Sequence, residues 1–175
     1  MKNLWTPWRM SHVLGQEPQL STCLFEPPGI SPHNRDHLLL YRDSDNLVLL
    51  NRFPYSNGHL LVAPLRHVTC LTELNEEESA SLMLLVRQAA RILKHRLAPH
   101  GLNIGCNLGA AAGAGIADHL HFHLVPRWQG DHNFMTVLAE IRTIPEHIDL
   151  TFDRLLPDFH QLLQERQDLQ HDHHG

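Results

Sequence analysis

Short apolar runs bounded by turn residues follow one another after residue 36, and prolines break any long element before that point. HLLLY and NLVLLNRF are separated by the polar segment RDSDN, and NGHLLVAPL begins at the dipeptide Asn57-Gly58. Runs of this length and composition predict β-strands, and Asn-Gly predicts the turn of a hairpin. We therefore expect consecutive strands here, after an irregular segment over residues 1–36.

A helical pattern replaces the strand pattern near Asn75. Asn75 followed by Glu78 three residues later is typical of a capping box. The apolar positions then recur at helical spacing and predict one buried stripe. Pro99 and Gly101 predict its end. The stripe comprises Leu82, Val86, Ala89, Leu93 and Leu97.

Two more apolar runs follow, LNIGCNL and HLHFHLV, on either side of the loop GAAAGAGIAD. The order strands, helix, strands predicts an α+β fold, with an antiparallel sheet and one long helix. Beyond Trp128 we expect a C-terminal helical extension in shorter pieces divided by Pro145 and Pro157, packed at the edge of the domain or at a subunit contact. We assign residues 1–160 to a single domain with its core at about 37–128, and residues 161–175 to a helix end and a disordered histidine-containing tail, QHDHHG.

Composition excludes several classes of protein. The formal charge of -5 argues against a sequence-independent grip on nucleic acid, which needs a concentrated basic face. The longest apolar stretches are too short to span a bilayer, so we expect no membrane insertion. Three scattered cysteines give no disulfide framework. A cytoplasmic location is the expectation.

The most informative segment is DHLHFHLVPRW, with histidines at positions 119, 121 and 123. On a strand, residues two apart share a face and lie about 6.5–7 Å apart, so the three imidazoles would line one face while Leu120 and Phe122 face the core. Such a row can ligate a metal or act on phosphorus as a nucleophile with its neighbours. Ligands of one ion lie closer together than this spacing, so a phosphate group fits the row better. Glycines at 109, 113 and 115 just upstream leave backbone amides free to approach an anion.

At this point the residues resemble a known family. HLHFHLV resembles the signature of the histidine triad (HIT) family, and NRFPYSNGHLLVAPLRHV is similar to the hairpin that carries the family's fourth histidine, here His59. The ends of the chain, LWTPWRM and RWQGDHNFMTVLAEIRTIP, resemble the bacterial subgroup of diadenosine tetraphosphate phosphorylases and hydrolases. The resemblance implies a nucleotidyl hydrolase or transferase acting on the α-phosphate of a dinucleoside polyphosphate or a related nucleotide conjugate.

The resemblance also implies roles for single residues. His121 would attack the α-phosphate and form a nucleotidyl-histidine intermediate, His119 and His123 would bind phosphate oxygens, and His59 would support them. The implied nucleotide-binding residues are Asn51, Asn107, Gly113 and Gly115. A histidine rather than a glutamine at position 123 favours the hydrolase or phosphorylase branch, while Gly115 stands where the family often has glutamine.

Further expectations concern partners, metals and alternatives. We expect a nucleotide substrate, with adenine as the base, and a homodimer. Many bacterial relatives bind structural zinc through Cys-x-x-Cys and two histidines; here Cys23 is present and Glu26 replaces the second cysteine, with His67 and His119 at the other positions. We expect no metal site and no required cofactor. Two alternatives stay open at this stage: a metal-dependent enzyme with histidine ligands, and a non-catalytic nucleotide-binding module.

Overall fold

The computed structural model describes residues 23–27, 31–114, 116–131 and 146–172. The described chain forms a five-stranded antiparallel sheet of order β1-β2-β3-β5-β4. Two short 3₁₀ helices, Leu71–Glu73 and Ala110–Ala112, lie in the connections. The predicted α+β fold with an antiparallel sheet is confirmed. The strands are β1 Leu39–Arg42, β2 Asn46–Leu50, β3 Leu60–Pro64, β4 Gly101–Cys106 and β5 Phe122–Arg127, and the helices are α1 Glu76–Leu97 and α2 Ile148–Asp172.

The hairpin predicted around Asn57-Gly58 joins β2 to β3, in a register that pairs Leu50 with Leu60. Its connection is longer than a two-residue turn, because β2 ends at Leu50 and β3 begins at Leu60. Gly58 has a φ of +73°, a conformation that side chains disfavour. This longer connection places His59 directly before β3, next to the loop that carries Asn51.

Helix α1 begins and ends where its caps predict. The Asn75 side chain accepts a hydrogen bond from the Glu78 N–H at 2.8 Å, and Glu78 Oε2 accepts one from the Asn75 N–H at 2.9 Å. Ala98, in the left-handed conformation, ends the helix before Pro99. The predicted stripe is buried, apart from a partly buried Leu97. It packs against the sheet together with α2 in one core cluster.

The predicted C-terminal helical extension is confirmed as α2, but its predicted division at Pro157 was wrong, because α2 continues through that proline. The helix reaches Asp172, three residues into the segment QHDHHG. It is also part of the main core and not an edge element, because four apolar side chains are almost fully buried. Burial of large apolar groups stabilises each by about 1.5–3 kcal/mol, which offsets a helix-interior proline that costs about 3 kcal/mol. The four are Phe152, Leu155, Phe159 and Leu162. The predicted helical piece before Pro145 lies outside the described residues.

The two faces of the sheet are covered differently. One face packs against α1 and α2. The other face carries a smaller cluster in which Phe25, from the N-terminal segment, covers Leu47, Leu49 and Leu61. The histidines lie at this second face. No helix in the described part of the chain is both long enough and apolar enough to cross a membrane.

A candidate active site of four histidines

The histidine segment is not a continuous strand. Strand β5 begins at Phe122, so His123 lies within it and His119 and His121 precede it. Just before the strand, the Leu120 N–H donates to the Val68 carbonyl at 2.6 Å. The predicted inward side chains Leu120 and Phe122 are buried. The prediction of one strand row was therefore wrong for its first two histidines, and their rings take separate environments.

His121 is held in one tautomer by its own backbone neighbourhood. Its Nδ1 lies 2.8 Å from the His119 carbonyl oxygen. Because a carbonyl only accepts, Nδ1 carries the proton and Nε2 keeps a lone pair. The side chain is almost fully buried. This is the arrangement that a nucleophilic imidazole needs.

A second series of hydrogen bonds orients the rings of His59 and His123. His59 Nδ1 accepts from the Tyr55 N–H at 3.1 Å, and Asn51 Nδ2 lies 3.2 Å from the same atom. The His59 proton therefore sits on Nε2, which donates to His123 Nδ1 at 3.0 Å. That donation leaves the proton of neutral His123 on Nε2. The His123 ring lies 4.8 Å from the His121 ring, centroid to centroid.

Burial keeps these imidazoles neutral. It lowers the pKa of His121, against the opposing effect of the hydrogen bond to the His119 carbonyl. Burial also lowers the pKa of His123 to about 4, and the neighbouring His121 adds to that effect. Desolvation disfavours the charged imidazolium, which is the physical cause in both cases. At neutral pH both rings are uncharged, with His121 able to attack and His123 able to donate a hydrogen bond.

His119 has a different environment from the one the sequence predicts. Its Nε2 lies 2.9 Å from the Pro64 carbonyl and its Nδ1 lies 3.3 Å from Cys23 Sγ. Both ring nitrogens are thus engaged within the protein, and the residue is almost fully buried. Its hydrogen bond with His121 is made by its backbone carbonyl. The predicted phosphate-binding role of the His119 imidazole stays a prediction that this geometry does not favour.

Two aromatic residues in the site were missed at the sequence level. Phe25 is fully buried, and its ring lies 4.9 Å from those of both His119 and His121, nearly parallel to the latter at 28°. The Tyr55 ring lies 4.8 Å from that of His59. Tyr55 is close to His59 in the sequence and could have been considered. Phe25 is 96 residues from His121, and no local pattern links the two.

The predicted nucleotide-binding residues lie in two loops. Asn51 follows β2 and contacts His59, while its Oδ1 accepts from the Phe53 N–H at 3.0 Å. Asn107 Nδ2 donates to the Gly113 carbonyl at 3.3 Å and so closes the loop after β4. Gly113 has a φ of +85°. Gly115 lies outside the described residues. Whether these groups contact a nucleotide stays a prediction.

A group of potential metal ligands lies beside the site. One ligand atom from each of Cys23, Glu26, His67 and His119 lies within 4.8 Å of the others. Thiolate, carboxylate and imidazole all bind zinc with bonds of about 2.0–2.3 Å, so the four residues fit a tetrahedral ion. Without metal, the same atoms pair, since Cys23 Sγ lies 3.3 Å from His119 Nδ1 and Glu26 Oε1 lies 2.8 Å from His67 Nδ1. The expectation that this chain has no metal site therefore stays a prediction.

Comparisons with known proteins agree with this architecture. A family profile for the HIT domain matches residues 33–130. The chain is 40% identical over 152 residues to the AP-4-A phosphorylase of Mycobacterium tuberculosis. The aligned region covers 83% of this chain and 78% of that protein. The fold is similar to that of a zinc-bound histidine triad family protein from Mycobacterium smegmatis, with 29% identity, a TM-score of 0.58 and coverage of 73% of this chain and 87% of the other. It is also similar to that of a hypothetical histidine triad nucleotide-binding protein from Sulfolobus tokodaii, with 27% identity, a TM-score of 0.59 and coverage of 71% and 85%.

Proposed function

The chain belongs to the HIT domain family, and on that premise we propose that it is a nucleotidyl hydrolase or phosphorylase acting on dinucleoside polyphosphates. The identity of 40% to an AP-4-A phosphorylase supports the substrate class, with adenine as the base. The observation that carries the proposal is the hydrogen bond of 2.8 Å from His121 Nδ1 to the His119 carbonyl. It leaves Nε2 of a buried imidazole available to attack phosphorus.

In the first step, the lone pair of His121 Nε2 forms a bond to the α-phosphorus of the substrate. The bond from that phosphorus to its bridging oxygen breaks, and the leaving nucleotide departs with the electron pair as an anion. The ring then carries a positive charge, and the hydrogen bond from Nδ1–H to the His119 carbonyl stabilises it. The Nε2–H of His123 would donate to a phosphate oxygen, because developing negative charge is best met by fixed donors.

In the second step, an acceptor oxygen attacks the same phosphorus and loses its proton to solvent, and the nitrogen–phosphorus bond breaks with its electron pair returning to Nε2, which restores neutral His121. With diadenosine tetraphosphate, the first step releases ATP. Water as acceptor then gives AMP, and inorganic phosphate gives ADP. Dividing one displacement into two through a covalent intermediate predicts ping-pong kinetics.

The decisive experiment is to incubate the protein with diadenosine tetraphosphate, with and without inorganic phosphate, and to separate the nucleotides by chromatography. We expect ATP together with AMP or ADP, and the second nucleotide names the acceptor. Mass spectrometry after acid-free quenching should show one adenylyl group on the peptide that carries His121. No cleavage of this substrate or of adenosine phosphoramidate under either condition would refute an enzymatic role and favour a binding module.

We propose that this chemistry requires no metal cofactor. The support is geometric: the group of potential ligands includes the His119 imidazole, whereas His121 is held by the His119 backbone carbonyl. A zinc ion at Cys23, Glu26, His67 and His119 would hold the N-terminal segment against His119, as a structural crosslink. Activity that survives prolonged chelation supports this assignment, and its loss would favour the metal-dependent alternative.

We also propose a homodimer, which β4 supports. This strand is an edge of the sheet, and it is largely exposed along its length, with Ile104 47% exposed. An edge strand with exposed apolar groups tends to pair with another chain. Light scattering at micromolar concentration tests this: a monomer mass would refute it. A cytoplasmic location remains our proposal, supported by three free cysteines, Cys23, Cys70 and Cys106.

A further inference from the structure

A polar cluster around the buried Thr151 joins helix α2 to the turn that carries His59. Thr151, in the first turn of α2, is 1% exposed. Its Oγ1 lies 2.9 Å from Asn57 Oδ1 and 2.7 Å from Glu146 Oε2. Asn57 Nδ2 donates to the same Glu146 oxygen at 3.3 Å, and Arg154 pairs with the other Glu146 oxygen at 2.6 Å. The Thr151 hydroxyl has one proton and donates to one of these two oxygens at a time, and a buried hydroxyl left without an acceptor would cost free energy.

The cluster contacts the turn at Asn57. Asn57 lies midway between Tyr55 and His59, and the Tyr55 N–H donates to His59 Nδ1 at 3.1 Å across the turn. The His59 N–H donates to the Ser56 carbonyl at 3.2 Å within the same turn. A displacement of Asn57 would therefore move the backbone of the turn and alter the distance from the Tyr55 N–H to His59 Nδ1. That donation is one of the contacts that keep the His59 proton on Nε2, toward His123.

The negative charge of Glu146 favours the same hydrogen bonds to Thr151 and Asn57. Burial acts to raise the pKa of Glu146, but the hydrogen bonds from Thr151 and Asn57 and the charge of Arg154 outweigh it, so the pKa is lowered. Glu146 is therefore a carboxylate at neutral pH, and it accepts hydrogen bonds as the geometry requires. A neutral carboxyl group would offer a donor in place of an acceptor and would weaken the contact with Asn57.

We propose that Thr151 and Glu146 are positioning residues for the His59–His123 pair, acting through Asn57. Both lie beyond residues 33–130, the part of the chain that the HIT profile matches. The C-terminal helix thus helps to set the proton arrangement of the site as well as completing the core. The catalytic consequence rests on the proposed function, whereas the effect on the His59 tautomer does not.

The test is a comparison of Thr151→Val with Thr151→Ser. Valine keeps the shape and removes the hydroxyl, and serine restores the hydroxyl. With diadenosine tetraphosphate, we expect Thr151→Val to lower kcat by about 3- to 10-fold with little change in KM, and Thr151→Ser to recover most of it. Glu146→Gln, which keeps the shape of the side chain, should lower kcat in the same way. It replaces Thr151→Val in the comparison if that variant does not fold.

A matched control comes from the same helix. Asp158 pairs with Arg96 of α1, and among the described hydrogen bonds and ion pairs none joins it to the turn. Asp158→Asn therefore perturbs α2 but keeps the link to Asn57, and it should leave kcat unchanged. Nitrogen-15 NMR of the imidazoles supplies a readout independent of turnover. Wild type should show His59 protonated at Nε2, and Thr151→Val a mixture of tautomers.

The outcomes separate the two proposals. If wild type cleaves no nucleotide but Thr151→Val still changes the His59 tautomer, the proposed function fails and the positioning role stands. If wild type is active and Thr151→Val matches it in kcat and in tautomer, the positioning role is overturned. A fall in kcat that Asp158→Asn reproduces would also overturn it, because the effect would then come from the helix in general.

Discussion

Phe25 offers a test of how packing orients His121, the proposed nucleophile. Phe25→Ala removes a ring that is 0% exposed. Truncating a buried phenylalanine costs about 3–5 kcal/mol of unfolding free energy, through lost burial and the cavity that remains. The same ring stacks on His121 at 4.9 Å and 28°, and such a pair contributes about 0.5–1.5 kcal/mol. If the contact favours the attacking orientation of His121, its loss lowers kcat by about 2- to 13-fold.

The matched control is Phe159→Ala. Phe159 is also 0% exposed, but it lies in α2 and packs in the core cluster on the other face of the sheet from Phe25. Both variants should lose a similar free energy of unfolding, measured by urea denaturation followed by circular dichroism at one protein concentration. Initial rates with saturating diadenosine tetraphosphate, at a temperature where both variants are folded, should fall only for Phe25→Ala.

Two results would refute this reasoning. Equal losses of kcat in both variants would mean that stability, and not stacking, governs the rate. An unchanged kcat in Phe25→Ala would mean that the hydrogen bond to the His119 carbonyl orients His121 by itself. Phe25→Leu refines the comparison, because it keeps most of the volume and removes the aromatic stacking.

The remaining predictions concern the nucleophile, its protonation and the possible metal ligands. His121→Ala should lower kcat by more than about 10³-fold while nucleotide binding persists, and more than a few per cent of residual turnover would contradict its role. Burial lowers the pKa of His121 below 6.5, so the neutral form of its imidazole persists in mild acid. In a plot of kcat/KM against pH, the loss of activity toward acid should therefore have its midpoint below pH 6.5. A midpoint at or above pH 6.5 would contradict this. Wild-type protein purified without added metal should hold well under one zinc per chain by elemental analysis. Glu26→Cys should raise zinc affinity by about tenfold or more, or ~1.4 kcal/mol, because thiolate is the softer ligand.

Zinc affinity in the last experiment is measured by competition with a chromophoric chelator. Glu77→Cys is its control, since Glu77 is an exposed glutamate on α1 outside the ligand group. A gain in both variants would indicate nonspecific thiol binding. Stoichiometric zinc in untreated wild-type protein would overturn the expectation that this chain has no metal site.

Much of the fold was determined locally by the sequence. The capping box of α1 joins residues three apart, and its buried stripe repeats within one helix. The apolar strands and the turn before His59 are equally short-range patterns. Such signals reflect hydrogen bonds and side-chain directions set within a few residues, so they can be recognised without knowing the rest of the chain. The clustering of histidines, and the resemblance to the HIT family that it carries, were determined in the same way.

The environment of each histidine was decided only by the tertiary structure. The His119 ring contacts Pro64 and Cys23. The Phe25 ring stacks on His121. Thr151, near the other end of the chain, contacts the turn before His59 through Asn57. Pro157 remains inside a helix because the side chains around it are buried in the core. These contacts join segments far apart in sequence, and their energies depend on packing and desolvation that exist only after the chain has folded. The sequence by itself determined which groups are available for chemistry, while the folded structure decided which nitrogen of each group carries the proton and where it points.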